Sequence, residues 1–122
     1  MAEWYSNRTL SGTPAAKTCE AAINNTWGSN APGVTGIPAD QFSVRWTGTL
    51  TAAATRPYTF TAYTDDGIRV LVDGVRVIDS WIYQSTTQYA ATVNLAAGQH
   101  TVIVEYFEAN GTATARVSYA PV

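Results

Sequence analysis

Apolar and polar positions alternate along most of the chain, and no long window places apolar residues at helical spacing. In "FSVRWTGTL" (42–50), Phe42, Val44 and Trp46 fall on one face. In "YTFTAYT" (58–64), Tyr58, Phe60 and Ala62 share one side, while Thr59, Thr61 and Tyr63 share the other. "IRVLV", "VRVID", "TQYAATVNL", "HTVIVEYF" and "TARVSY" follow in the same style. Short period-two segments split by Gly, Asn and Asp predict an all-β fold, an antiparallel β-sandwich or barrel. Residues 11–41 break the pattern with Pro, Gly, Ser and Asn. They predict a long irregular N-terminal segment that is functional or wraps the core, with one helical turn near Ala15–Ala22 and Trp27 as its anchor.

Turn chemistry suggests two hairpins. Asp73-Gly74 is a strong two-residue turn signal. It would pair Val72 with Val75, Val70 with Val77 and Ile68 with Asp79, leaving Asp73 at the tip and Asp79 near Asp66. Asn110-Gly111 is a second signal, pairing Phe107 with Thr114 and Glu105 with Arg116. Val102, Val104, Tyr106, Ala115, Val117 and Tyr119 would then share one apolar face.

The chain has 122 residues, a length that suits one domain spanning 1–122. Hydrophobic residues make up 46% and charged residues only 13%, enough apolar content for a real core. A net charge of −2 with scattered Arg argues against a nucleic-acid partner, because phosphate requires clustered cations. No stretch is long enough to cross a membrane as a helix, and "MAEWYSNRTL" lacks the apolar core of a signal peptide. Cys19 is the single cysteine, which excludes an internal disulfide and predicts a small buried apolar residue.

Catalytic chemistry finds little footing. His100 is the single imidazole and sits at a strand start. No nucleophile elbow, Cys/His pair or phosphate-cradling glycine loop is present, and adjacent carboxylates do not flank a glycosidic bond as hydrolysis requires. The chain is therefore expected not to be an enzyme. The Asp65-Asp66 pair leaves two readings open. "TDDG" could simply end a strand and start a turn. Alternatively, two adjacent carboxylates could hold a hard cation, provided an unusual backbone turns both side chains to one ion.

The ordered set "FSVRWTG", "YTF", "DDGIRV", "VDG", "VIDSW", "LAAG" and "VEYFE", with "EWYSN" and "INNTWGSNAPGVTGIPADQFSVRW" ahead of it, resembles the protective antigen fourteen domain family across nearly the whole chain. The resemblance implies an antiparallel β-sandwich, often described as a barrel. It further implies a calcium-dependent carbohydrate-binding module, lectin-like, taken from a larger secreted or cell-surface bacterial protein such as an adhesin or glycosidase. In sugar-binding members two adjacent aspartates joined by a cis peptide hold Ca²⁺, which ligates sugar hydroxyls. Carried over, Asp65 and Asp66 match that pair, and Asn110 in "EANGT" matches the Asn of a second loop. The expected metal ligands are thus Asp65, Asp66 and Asn110. The expected carbohydrate contacts are the same three residues together with Tyr83, Gln84 and Glu108 on the rim. Asp79 is expected beside the site or in a structural role, and Trp81 is divided between core packing and a sugar-stacking platform. The expected partner is a sugar with a vicinal diol, and the isolated domain is expected to be a monomer. The competing reading is a structural or protein-interaction module with no sugar affinity.

Overall fold

A computed structural model describes residues 1–20 and 22–122 as ten β-strands. In chain order these are β1 (Ala2–Tyr5), β2 (Ala16–Thr18), β3 (Ile23–Gly28), β4 (Phe42–Ala52), β5 (Arg56–Asp65), β6 (Gly67–Val72), β7 (Val75–Ser80), β8 (Thr87–Leu95), β9 (Gly98–Glu108) and β10 (Ala113–Pro121). They form two antiparallel sheets in a sandwich. One runs β2-β1-β4-β9-β6-β7 and the other β3-β10-β5-β8.

Alternation fills the space between the sheets. Phe42, Val44 and Trp46 of β4 meet Tyr58, Phe60 and Ala62 of β5, joined by Ile68 and Val70, Val104 and Tyr106, and Ala113 and Ala115, all buried. Fully burying a side chain such as Phe42 or Phe60 contributes roughly 1.5–3 kcal/mol. At one end the rings of Trp4, Trp27, Phe42 and Tyr106 pack edge-on or tilted, with centroids 5.6 to 6.3 Å apart. Such offset geometry suits the ring quadrupole.

The N-terminal segment is more ordered than the sequence suggested. In place of a long irregular wrap with a helical turn, Ala16–Thr18 forms a short strand against β1, and Ile23–Gly28 forms an edge strand against β10. Ala21, within the expected helical turn, lies outside the described residues. Trp27 does pin this region, and Ile37 enters the core. Cys19 is exposed rather than buried, because it follows the short β2 at the sheet's outer edge.

The Asp73-Gly74 hairpin forms, with φ of 50° and 82° at its two central residues, as a primed two-residue turn requires. Val72 faces Val75, but a register shift between Val70 and Leu71 moves Val70 opposite Ile78 and Ile68 opposite Ser80. The expected Asn110-Gly111 hairpin is overturned. Here the chain leaves β9 in one sheet and enters β10 in the other, so these strands pair with different neighbours. Glu105 consequently does not meet Arg116. It lies between Arg45 (2.8 Å) and Arg69 (3.0 Å) on the outer face of its own sheet. Val104, Tyr106 and Ala115 are buried as expected, while Tyr119 stays exposed.

Two crossings between the sheets lie side by side at one pole. β5 ends at Asp65 and β6 begins at Gly67, while β9 ends at Glu108 and β10 begins at Ala113. The chain termini lie elsewhere. Met1 bonds Thr47, midway along β4, and Val122 bonds Pro57 at the far end of β5.

Candidate metal and carbohydrate site

The crossings bring three carboxylates together. Asp65, Asp66 and Glu108 each offer an oxygen, and these atoms lie within 4.8 Å of one another. All three residues are buried, Glu108 completely. The peptide bond joining Asp65 to Asp66 is cis.

Each group is positioned by named partners. Asp66 Oδ2 accepts from the backbone N–H of Ala109 (2.9 Å) and its Oδ1 from that of Gln84 (3.1 Å). Asp65 Oδ2 accepts from the Thr112 hydroxyl at 3.0 Å. The Gln84 side-chain amide donates to the Asp66 carbonyl (2.8 Å) and to Ser80 (3.1 Å), while its oxygen accepts from the Tyr89 hydroxyl (2.5 Å). Beneath the pair, the Tyr106 hydroxyl donates to the Asp65 carbonyl and lies 3.3 Å from Glu108 Oε2. Thr64 donates to the Asp66 carbonyl at 3.1 Å.

The electrostatics are unbalanced. The salt bridges among the described residues involve Glu105, Asp79 and Asp73, and none reaches the three clustered carboxylates. Burial, followed by the hydrogen bond and charge of Asp66, pushes Glu108 up to about 9. Burial likewise raises Asp65, with the Asp66 charge adding to it and the Thr112 hydroxyl opposing. Tyr106 is driven far upward by burial beside these anions. Glu108 Oε1 is buried with no hydrogen-bond partner among the described residues.

The residues anticipated from the sequence end in different places. Asp65 and Asp66 form the cluster. Glu108 is inside it rather than on the rim, because it continues the inward face of Val102, Val104 and Tyr106. Gln84 supports Asp66 from below. Tyr83 is 61% exposed beside Phe107, with the Arg8 guanidinium 5.4 Å from its ring centre. Asn110 is exposed at the crossing and makes no hydrogen bond to Asp65 or Asp66 among the described residues. Asp79 is not a neighbour of Asp66. It pairs with Arg76 on the exposed edge, since the register shift turns it away. Trp81 lies outside the main core, sandwiched by Phe107 (4.8 Å) and the Arg69 guanidinium (3.8 Å). Thr112 and Ala109 contribute without any sequence signal beyond their place in "EANGT".

The family model for the PA14 domain matches residues 1–121. The chain belongs to the PA14 domain family. Anti-sigma-I factor RsgI3 of Acetivibrio thermocellus is 34% identical over 119 residues, covering 97% of this PA14 domain and 18% of that protein. The chain thus spans about a fifth of the curated relative it matches. A solved anti-sigma factor domain-containing protein superposes with a TM-score of 0.90 at 34% identity, covering 98% of this chain and 42% of the other. The PA14 sugar-binding domain from an RTX adhesin, at 19% identity, shares the fold with a TM-score of 0.73 over 98% and 88% of the two chains.

Hard cations accept carboxylate and carbonyl oxygens, and Ca²⁺ holds them at about 2.3–2.6 Å, so two oxygens on one ion stand at most about 5 Å apart. Carboxylate oxygens of Asp65, Asp66 and Glu108 within 4.8 Å of one another meet that limit. The donor set fits Ca²⁺ better than Zn²⁺, which prefers nitrogen and sulfur.

Proposed function

We propose that this PA14 domain is a Ca²⁺-dependent carbohydrate-recognition module. The observation that carries the reading is a buried trio of carboxylates, Asp65, Asp66 and Glu108, with no cationic side chain paired to it among the described residues. Asp65, Asp66 and Glu108 would hold the ion, with Asn110 at the neighbouring crossing as a further oxygen donor. A bound Ca²⁺ would supply open coordination positions that two adjacent sugar hydroxyls can fill.

The remaining work falls to the protein. Thr112, Ala109 and Gln84 fix the aspartate oxygens before ligand arrives, so little ordering entropy is lost on binding. Tyr83 offers an exposed ring and Asn110 an exposed amide at the rim, where Gln84 and Glu108 serve as inner supports. With Tyr83 and Asn110 as the exposed rim groups, direct contacts are few, so monosaccharide affinity should be weak, on the order of millimolar. The PA14 sugar-binding domain of the RTX adhesin supports the carbohydrate reading through shared fold. The higher identity to part of an anti-sigma factor favours a regulatory protein as the parent, with this module as its ligand-recognising part.

The test is a titration of glucose, galactose, mannose and fucose followed by NMR, with saturating Ca²⁺ and with chelator. Shifts should appear at residues 65–66 and 108–112 only with Ca²⁺, and Asp66→Ala should abolish them. Mg²⁺ should substitute poorly, because it demands near-octahedral geometry and keeps its waters. Calcium binding with no response to any glycan would replace this reading with the protein-interaction module.

A further inference from the structure

The two sheets expose four edge strands, and three of them carry recognisable protection. β2 is three residues long and includes Lys17. β3 faces a register shift in its partner β10. β7 carries Arg76 and Asp79 and faces a shifted register in β6. Short length, charge and irregularity are the usual means by which an edge avoids pairing with another chain.

β8 has none of them. It is nine residues long, contains no charged residue and no proline, and pairs with β5 in an unbroken register from Thr64–Thr87 to Arg56–Leu95. Among the described residues its other edge has no strand partner. Along it, Gln88, Ala90, Thr92 and Asn94 are exposed outward, while Tyr89, Ala91 and Val93 pack against the core yet stay only half-buried.

We propose that β8 is a self-association edge that takes the β8 strand of a second copy of this chain, antiparallel, across a two-fold axis at Ala91. The strand's own sequence argues for this occupant. About Ala91, Tyr89 faces Val93 of the partner subunit, Gln88 faces Asn94 of the partner subunit, and Ala90 faces Thr92 of the partner subunit. Apolar meets apolar on the core side, amide meets amide on the outer side, and no charge is left unpaired. Such an isologous contact joins the two four-stranded sheets into one of eight strands. It also covers the half-open Tyr89, Ala91 and Val93. A single ribbon of about 30 Å is less than a standard interface, so the dimer should be weak, with a dissociation constant on the order of 0.1 mM. The carboxylate pole lies beside Thr87, at one end of β8. The two-fold therefore sets the two poles at opposite ends of the joined sheet.

Sedimentation equilibrium in chelator tests this independently of any metal or sugar. The chain should pass from monomer to dimer between about 10 µM and 1 mM. Ala90→Lys and Ala90→Glu change an exposed side chain with no hydrogen bond, and across the axis like charges would stand about 7–8 Å apart. Each variant alone should be monomeric, and an equimolar mixture should dimerise. In a Cys19→Ser background, Ala91→Cys should crosslink on mild oxidation, since residues facing each other across the axis stand about 4.5–5.5 Å apart, within disulfide reach. A chain that stays monomeric at 1 mM overturns the proposal and leaves the edge to a strand from another protein. A dimer indifferent to Ala90→Lys overturns it too, by locating the contact on another face.

Discussion

Gly67 follows the carboxylate pair and starts β6, and nothing in its backbone angle demands glycine. Its requirement is spatial. A Cβ there would overlap Cε1 of Phe107 and stand 2.6 Å from Cδ1 and 3.1 Å from Cζ. The Phe107 ring has little room to retreat, being only 5% exposed and backed by Trp81 at 4.8 Å and Tyr83 at 6.0 Å. Gly67→Ala therefore either shifts the β6 start or displaces a packed ring. Forcing one extra carbon into a filled site costs about 1–3 kcal/mol, and the clamped ring places this case in the upper half. At about 4 °C per kcal/mol for a domain of this size, the melting temperature should fall by roughly 8–12 °C. Thermal denaturation followed by near-ultraviolet circular dichroism reads both the loss and the disturbed Trp81 environment. Phe107→Leu alone should cost about 1 kcal/mol, and in the double variant the two losses should fall short of additive by at least about 1 kcal/mol. A neutral Gly67→Ala, or strictly additive losses, would refute the steric account.

Glu108 is pushed up to about 9 from an ordinary 4.5, so the folded metal-free chain keeps a proton that the unfolded chain releases. Stability is fully present below the unfolded value and is lost as pH rises toward the folded one, amounting to about 3 kcal/mol by pH 7. In chelator, Glu108→Gln should accordingly flatten the pH dependence and exceed the wild type above neutrality, while matching it near pH 4; parallel urea-denaturation curves for the two proteins would contradict this. His100 sits with one ring nitrogen 2.7 Å from the Ala96 carbonyl and the other 2.5 Å from Asp73, and both contacts raise its pKa above 6.5. Asp73 is lowered by His100 and by the Thr101 N–H. The imidazolium latch should contribute below about pH 6.5 and fade as pH climbs through the raised value, with Asp73 withdrawing its share only in strong acid. The melting-temperature gap between wild type and His100→Ala should be widest near pH 5 and narrow by pH 8, and a gap independent of pH would count against the latch.

What the sequence disclosed was governed by how local each decision is. Strand faces such as Phe42-Val44-Trp46 and the Asp73-Gly74 turn depend on neighbouring residues alone, and they were legible. The one-residue shift inside that hairpin was not, because a bulge is chosen by what β6 meets on its other side, in β9. Asn110-Gly111 was misread for a related reason. The same turn chemistry serves a hairpin or a crossing, and the choice rests on whether β10 gains more from β9 or from β3 and β5. β3 was hidden because its inward face reads Ile23, Asn25 and Trp27, where one amide interrupts the apolar alternation. Glu108 could have been found, since 102, 104 and 106 point inward and the next step is 108. Its charge argued for the rim, and only the company of Asp65 and Asp66 makes sense of its burial.

The positions of the chain ends bear on how such a module works under load. β1 enters midway along β4, and β10 finishes beside Pro57, both away from the pole that holds the carboxylates. Any polypeptide continuing from either end would leave that pole facing outward at the tip of the domain. A pull transmitted from a captured polymer would then enter through two adjacent sheet-to-sheet crossings and run down β5, β6, β9 and β10 together. If that pole is the capture point proposed above, it is sewn into both layers, and tugging on it would press against four strands rather than peel one.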